Sequence, residues 1–452
     1  MRLRKTITTI VATAILLAGW QLFAVIANQP ELIPSLPRLV RTLCEWLVSS
    51  SFYQSVGATI LRGILGMSIS FVCAIGMAGL FARFEWVYEL FRPLLAIMRS
   101  IPVISFILLA LIFLNPESIP LMIAFLTMFP LLTENLTRGI LDLRPGLSIM
   151  ARQFHIKRSN VLFQIIYPQL KPFLYSGLAS AAGFGWRAII MGEVLSQCAF
   201  GIGSEMKRAQ NFIAVPELLA WTIVAVFISF FFDKGISKVA DITPKISFAN
   251  EDQTIPTPTL SVLDTKDISY QYGIQHFSHS FQKGIIYGIS APSGKGKTTL
   301  LNLIGGILLP TKGEIHPTRH FGIATIFQQP QLLPHLTTEE NIILPLSSFL
   351  TEEKARRIAQ KHLQEMEMEP FGNRYPKELS YGQQQRIAIA RALAYPSPLL
   401  LMDEPFKGLD EALSHRIIER IREKQMKEER IILFTSHNPD EIRLLADEVI
   451  YL

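Results

Sequence analysis

The chain has 452 residues, 49% of them hydrophobic and 18% charged, with a net charge of +6 and three cysteines. That length exceeds one ordinary domain, and the charge is uneven: sparse up to Phe232, typical of a soluble protein after Asp241. Basic residues sit in short loops between apolar runs and are nowhere interleaved with aromatics, which argues against a nucleic-acid partner and for a chain that is half in a lipid bilayer. Cys44, Cys73 and Cys198 lie far apart without metal-ligand spacing and read as unpaired packing residues.

Six membrane segments are expected, at about 6–27, 57–82, 94–114, 118–137, 173–197 and 213–232. The first follows Met1-Arg2-Leu3-Arg4-Lys5. Its apolar run is too long for a signal-peptide core and no small-residue cleavage site precedes Asn28, so it is expected to remain as a membrane helix. The stretch 28–55 is amphipathic, with Leu39, Leu43, Trp46 and Leu47 at near-helical spacing, and is expected to lie along the outer membrane surface. Pro102 and Pro120 fall near the starts of the third and fourth segments, where helices tolerate proline best. With the N-terminus inside, twelve Lys and Arg fall on the inner side of the six spans and four on the outer. Six spans return the chain to the inside, so both termini and the soluble part are expected in the cytoplasm, below a plasma (inner) membrane crossed several times. Arg62, Arg187 and Glu193 fall within membrane segments, where ionisable groups are costly. The two arginines either help pass an anion along a translocation path or each snorkels to an interface or pairs with a carboxylate.

The boundaries expected are 1–240 for an all-α transmembrane domain of six helices, 241–259 for an extended linker with Pro244, Pro256 and Pro258, and 260–452 for an α/β P-loop domain with a largely parallel sheet. In the last, Ile285 to Ser290 is a buried-strand pattern. It runs into Ala291-Pro292-Ser293-Gly294-Lys295-Gly296-Lys297-Thr298-Thr299 and then an apolar helix. A glycine-rich turn between strand and helix aims backbone N–H groups at phosphates, and the helix N-terminus adds positive potential. This arrangement is expected to bind ATP, with Lys297 on the β- and γ-phosphates and Thr298 on Mg²⁺. Ala291 replaces the first glycine of the pattern, which is tolerable if its φ stays negative. Leu399 to Met402 is a second buried strand, ending in Asp403 and Glu404. Asp403 is expected to serve the metal and Glu404 to polarise the attacking water.

Between them stands Leu379-Ser380-Tyr381-Gly382-Gln383, before a helical run. It resembles the signature of ABC ATPases, with Tyr381 in place of a glycine, and the resemblance spans the C-terminal domain. It implies a Q-loop at Gln328, sensing Mg²⁺ and γ-phosphate, a D-loop at Asp410, and a switch histidine at His437. It also implies an adenine-stacking aromatic at Tyr272. It further implies composite ATP sites, in which Ser380, Tyr381, Gly382 and Gln383 meet the nucleotide of another subunit, and hence a homodimer. A side chain at 381 would have to point away from the nucleotide to be harmless, and Tyr381→Gly is expected to retain ATPase activity.

The 150–168 stretch resembles, in spacing, the coupling loop of binding-protein-dependent importers: Ala151, then His155 where that pattern has glycine, then Pro168. Stretches around Ser55–Gly66, Arg99–Pro102 and Gly185–Glu193 are similar to permeases of the nitrate, sulfonate, taurine and thiamine-precursor importers. The resemblance implies a permease fused to its ATPase, with a separate extracytoplasmic solute-binding protein as partner. An exporter half-transporter and a non-transporting ABC ATPase are the alternatives. The first is disfavoured by short inner loops, the second by the presence of Glu404 and His437.

Overall fold

The computed structural model describes residues 2–240, 244–253, 260–271, 273–292, 294–317 and 322–452. The chain forms two compact units. The first comprises 1–143 and 169–243, the second 144–168 and 244–452. The segment 144–168, placed with the membrane domain by sequence, therefore packs with the soluble part.

The first unit is helical. Among the described residues four helices are long and apolar enough to cross a membrane: Ser50–Arg83, Pro116–Leu141, Arg158–Ser196 and Val215–Lys238. The expected third span is not one straight helix. Glu85–Ser100 and Val103–Phe113 meet at 95°, and together they make at most a fifth span. The cause is Pro102: it pushes Ile101 into extended backbone (φ −70°, ψ 130°) and caps the next helix instead of continuing the first. Pro120 sits in the first turn of Ile119–Leu141, as expected. The apolar run Val11–Ala27 is shorter than those four helices.

Ser50–Arg83 buries Ser55, Thr59, Gly63, Gly66, Ser70, Ala74 and Ala78, a stripe of small residues at helical spacing. Small side chains let backbones approach closely, which is how membrane helices associate without a hydrophobic driving force. Helix Leu36–Trp46 buries Leu39, and Trp46 stacks on Trp221 with ring centroids 4.5 Å apart.

The second unit holds eight strands among its described residues: β1 (Val262–Tyr270), β2 (Ile274–Gln282), β3 (Ile286–Ser290), β4 (Lys312–His316), β5 (Ala324–Ile326), β6 (Leu399–Asp403), β7 (Ile431–Thr435) and β8 (Glu448–Tyr451). They make an antiparallel sheet, β2-β1-β4, and a parallel sheet, β5-β6-β7-β3-β8. The central strands β6 and β7 are buried along their whole length, which explains why they read as unbroken apolar runs. Residues 244–253 are not helical. They lie against the same unit through Ala249 N–H to Ser347 O (3.0 Å) and Gln253 N–H to Phe349 O (2.9 Å).

Candidate active site

The register of the parallel sheet assembles the site. Thr435 ends β7 and pairs with Asp403 on β6 and Ile289 on β3, so three strand ends converge. After β3 the chain turns through the P-loop into helix Lys297–Ile304, with Gly296 as its N-cap at φ +90°. Only glycine takes that backbone without strain, and a Cβ there would lie 2.8 Å from Gly273 O. Ala291 and Pro292 lead into the turn, where Lys295 N–H meets Pro292 O at 3.3 Å; Gly294 is also left-handed and Thr299 lies in the helix. Ala291 is absent from the residues with positive φ, as its substitution for glycine requires. The Lys297 ammonium is buried and donates to Ala291 O at 2.8 Å. Ser293 and Tyr272 lie outside the described residues.

Asp403 is buried. Its two oxygens accept from Thr298 Oγ1 (2.9 Å) and Thr435 Oγ1 (2.8 Å). Burial pushes its carboxyl up, against those hydrogen bonds and the Lys297 charge. Glu404 follows at φ 48°, a left-handed conformation uncommon for an acidic residue, with its N–H on Thr435 Oγ1 at 3.0 Å. Its Oε1 lies 3.3 Å from Gln328 Nε2 and 3.1 Å from His437 Nε2, and its Oε2 3.2 Å from Lys407 Nζ. Burial alone would raise this carboxyl. Hydrogen bonds from Lys407 and Gln328, with the Lys407 and His437 charges, outweigh it and hold Glu404 below the usual carboxylate value.

A cavity of about 520 Å³ is lined by Gln328, Glu404, Lys407, Ser436 and His437. A second, of about 270 Å³, is lined by Thr298, Gln328, Asp403, Gly146 and Ile149, so it reaches from the P-loop to the 144–168 segment. Neither is lined by Ser380, Gly382 or Gln383. Those residues start helix Tyr381–Ala394 in a capping box: Gln383 N–H donates to Ser380 Oγ (3.3 Å) and Ser380 N–H to Gln383 Oε1 (2.9 Å). Asp410 caps the helix Glu411–Glu428 through Leu413 N–H at 2.9 Å.

The 144–168 segment docks on this unit. Helix Pro145–Gln153 buries Leu147, Met150 and Ala151 in the same core as β5 and β6. Gln153 donates to Gly305 O (2.9 Å), at the end of the P-loop helix, and accepts from Ile323 N–H (2.8 Å). Phe154 stands edge-on to Tyr395 and under the Arg391 guanidinium, 5.5 Å from it. Arg391 is fully buried and donates to Pro330 O and Gln331 O, both at 2.8 Å, beside Gln328. Burial pushes it down to about 10, still a cation at neutral pH. His155 takes φ 45°, which explains why the resembled pattern has glycine there. Pro168 follows in helix Tyr167–Ser196.

In the first unit Arg62, Glu117 and Glu193 are paired with one another. Glu193 is fully buried and accepts from Arg62 Nη1 (2.7 Å), Thr59 Oγ1 (2.9 Å) and Gly203 N–H (2.9 Å). Arg62 also pairs with Glu117 at 2.7 Å and donates to Phe200 O. Arg187 is exposed and separate from this cluster. Sequence reasoning singled out neither Lys407 nor Arg391. Lys407 lies three residues after Glu404, and Arg391 is an arginine on an otherwise apolar helix face; those were the available signals.

Residues 274–407 match the family model for "ABC transporter", and 55–233 match "Binding-protein-dependent transport system inner membrane component". The thiamine import ATP-binding protein of Yersinia pseudotuberculosis is 34% identical over 205 residues, which is 42% of this chain and 86% of that protein. The chain belongs to the ABC transporter family. As a member it combines, in one polypeptide, a permease-type membrane segment and an ABC ATPase domain. The Fe(3+) ions import ATP-binding protein of Rhizobium etli is 35% identical over 189 residues, 40% of this chain. This ABC transporter chain spans about half the length of that relative (54%) and of the Brucella abortus protein of the same name (56%). A solved dimeric ATP-binding cassette in a post-hydrolysis state, bound to ADP and Pi, is 31% identical over 42% of this chain and 94% of that one, with a TM-score of 0.40.

Proposed function

We propose that this chain is the fused permease and ATPase subunit of a binding-protein-dependent importer, acting as a homodimer with two composite ATP sites. The observation that carries the reading is the convergence of Lys297, Thr298, Asp403, Glu404, Gln328 and His437 at the ends of three parallel strands, in a chain whose other half matches an importer permease. A phosphate at the P-loop replaces Ala291 O as the partner of the Lys297 ammonium. Glu404, held as a carboxylate, accepts the proton of the attacking water, and His437 and Gln328 fix its orientation.

The donor set fits Mg²⁺: a hydroxyl and a carboxylate oxygen 2.9 Å apart, Thr298 Oγ1 and Asp403 Oδ2, with the Gln328 amide on the same cavity wall, suit a hard cation that takes few protein oxygens and fills its shell with phosphate and water. Held by Thr298, Asp403 and Gln328, the ion would supply positive charge against the phosphates. The chain sits in the inner membrane with the ATPase and both termini in the cytoplasm. A separate solute-binding protein delivers solute from outside.

The solute is small: a sulfonate, a nitrate-like anion or a thiamine-precursor-like heterocycle. Arg62 is committed to Glu193 and Glu117, so of Arg62 and Arg187 only Arg187 remains to favour an anion. The test is uptake into proteoliposomes with the ATPase on the side where solute accumulates. Labelled solute should accumulate there only with ATP and with binding protein on the opposite face. Movement away from the ATPase side without binding protein would show an exporter.

A further inference from the structure

Tyr381, the residue that departs from the ABC signature, is bound to its own subunit's Q-loop. It is the first residue of the signature helix, directly after the Ser380 cap. Its hydroxyl donates to Gln328 O at 2.8 Å. Its ring fills the space beside Gly408, where an added Cβ would meet Cδ1 at 2.7 Å. One phenol therefore spans the signature, the D-loop and the Q-loop. Both loops it touches also hold Glu404: Gln328 Nε2 at 3.3 Å, and Lys407, which precedes Gly408, at 3.2 Å. A glycine at 381 has no atoms with which to make this link.

We propose that Tyr381 is a positioning residue for ATP hydrolysis, fastening the Q-loop and D-loop to the signature helix so that Gln328 and Lys407 stay set against Glu404. It acts through those residues and not on the nucleotide. The inference rests on the ATPase homodimer reading above, and in that dimer it has a second consequence. The signature of one subunit engages its partner's nucleotide, so a shift of the signature helix is carried by the Tyr381 hydroxyl to this subunit's own Gln328. The tyrosine then links the two ATP sites.

The test is Tyr381→Phe in the full-length protein, which keeps the ring and removes the hydroxyl. Hydrogen exchange across 327–333, without nucleotide, should quicken about three- to tenfold, the scale of one net hydrogen bond. In the same preparation kcat should fall about three- to tenfold, with KM for ATP changed less than about twofold, and the Hill coefficient for ATP should drop toward one. Tyr381→Gly, which also removes the ring, should lose more on both measures, the reverse of the expectation from sequence. Wild-type exchange in Tyr381→Phe overturns the link. Faster exchange with unchanged kcat, or a change confined to KM, overturns the positioning role. If Glu404→Gln hydrolysed ATP at the wild-type rate, the active-site reading would fail, and the exchange measurement would still decide the tether.

Discussion

His155 holds a left-handed backbone without being glycine, a conformation that costs an L-residue about 1–2 kcal/mol. Its side chain is exposed. His155→Gly is therefore expected to raise thermal stability modestly, because relief of strain exceeds the roughly 0.5–1 kcal/mol of extra backbone entropy that glycine loses. A lower Tm would show that the imidazole is held by something worth more than the strain. Glu404 is also left-handed, and there the strain sits at the residue proposed to polarise the attacking water. Glu404→Gln should bind ATP normally and hydrolyse it on the order of 10²-fold more slowly or worse, read by single-turnover assay beside nucleotide binding. Lys297→Ala should weaken binding itself, since it removes the buried lysine proposed to meet the phosphates.

Among the elements, helix Pro145–Gln153 and the residue after it are held by apolar burial, by Gln153 and by the Phe154 ring. Phe154→Ala removes a fully buried ring that contacts Tyr395 and Arg391, a change that typically costs about 3–5 kcal/mol. Basal ATPase should stay within about twofold while uptake falls at least about tenfold; undiminished uptake would show that this docking is not needed for coupling. Helix Glu352–Glu365 carries a different liability in His362. It is buried, and burial together with the Lys424, Lys361 and Arg430 charges pushes it down to about 3. The neutral imidazole lets Nε2 accept from Lys424 Nζ at 3.3 Å, while Nδ1 lies near Glu365 Oε2 without the geometry of a hydrogen bond. The folded-state value lies below the unfolded one, so this contribution is full above about pH 6.5 and is lost as pH falls toward 3. Denaturant titrations should show stability declining through that window, with a shallower slope in His362→Gln. Equal slopes would remove His362 as the cause.

For the whole molecule the central expectation is assembly. Under the proposed reading, one P-loop and one signature per chain are completed into ATP sites by a second copy. The purified, active particle should contain two copies of the 50.9 kDa chain by mass measurement. An active particle with one copy, or one that needs a different permease–ATPase chain, would refute this.

The ATPase half was legible because its chemistry is local. Phosphate cradling needs a glycine-rich turn between a buried strand and a helix, and Ile286–Ser290 with Ala291–Thr299 writes that out in consecutive residues. The apolar runs of the membrane half were legible for the same reason, since a bilayer demands unbroken hydrophobic length. Three matters did not show in the pattern of the sequence, two of them because they turn on groups far apart in the chain. Whether Arg62 and Glu193 line a path or pair with each other is a question of helix contact across more than a hundred residues, and the contact makes them a pair. Whether 94–114 runs straight depended on how Ile101 answers Pro102, and no hydropathy window registers that dihedral. Whether Tyr381 is a bystander depended on where Gln328 and Gly408 lie. Spacing placed it in a signature, but only the folding of the Q-loop and D-loop onto the signature helix set its hydroxyl against a backbone carbonyl.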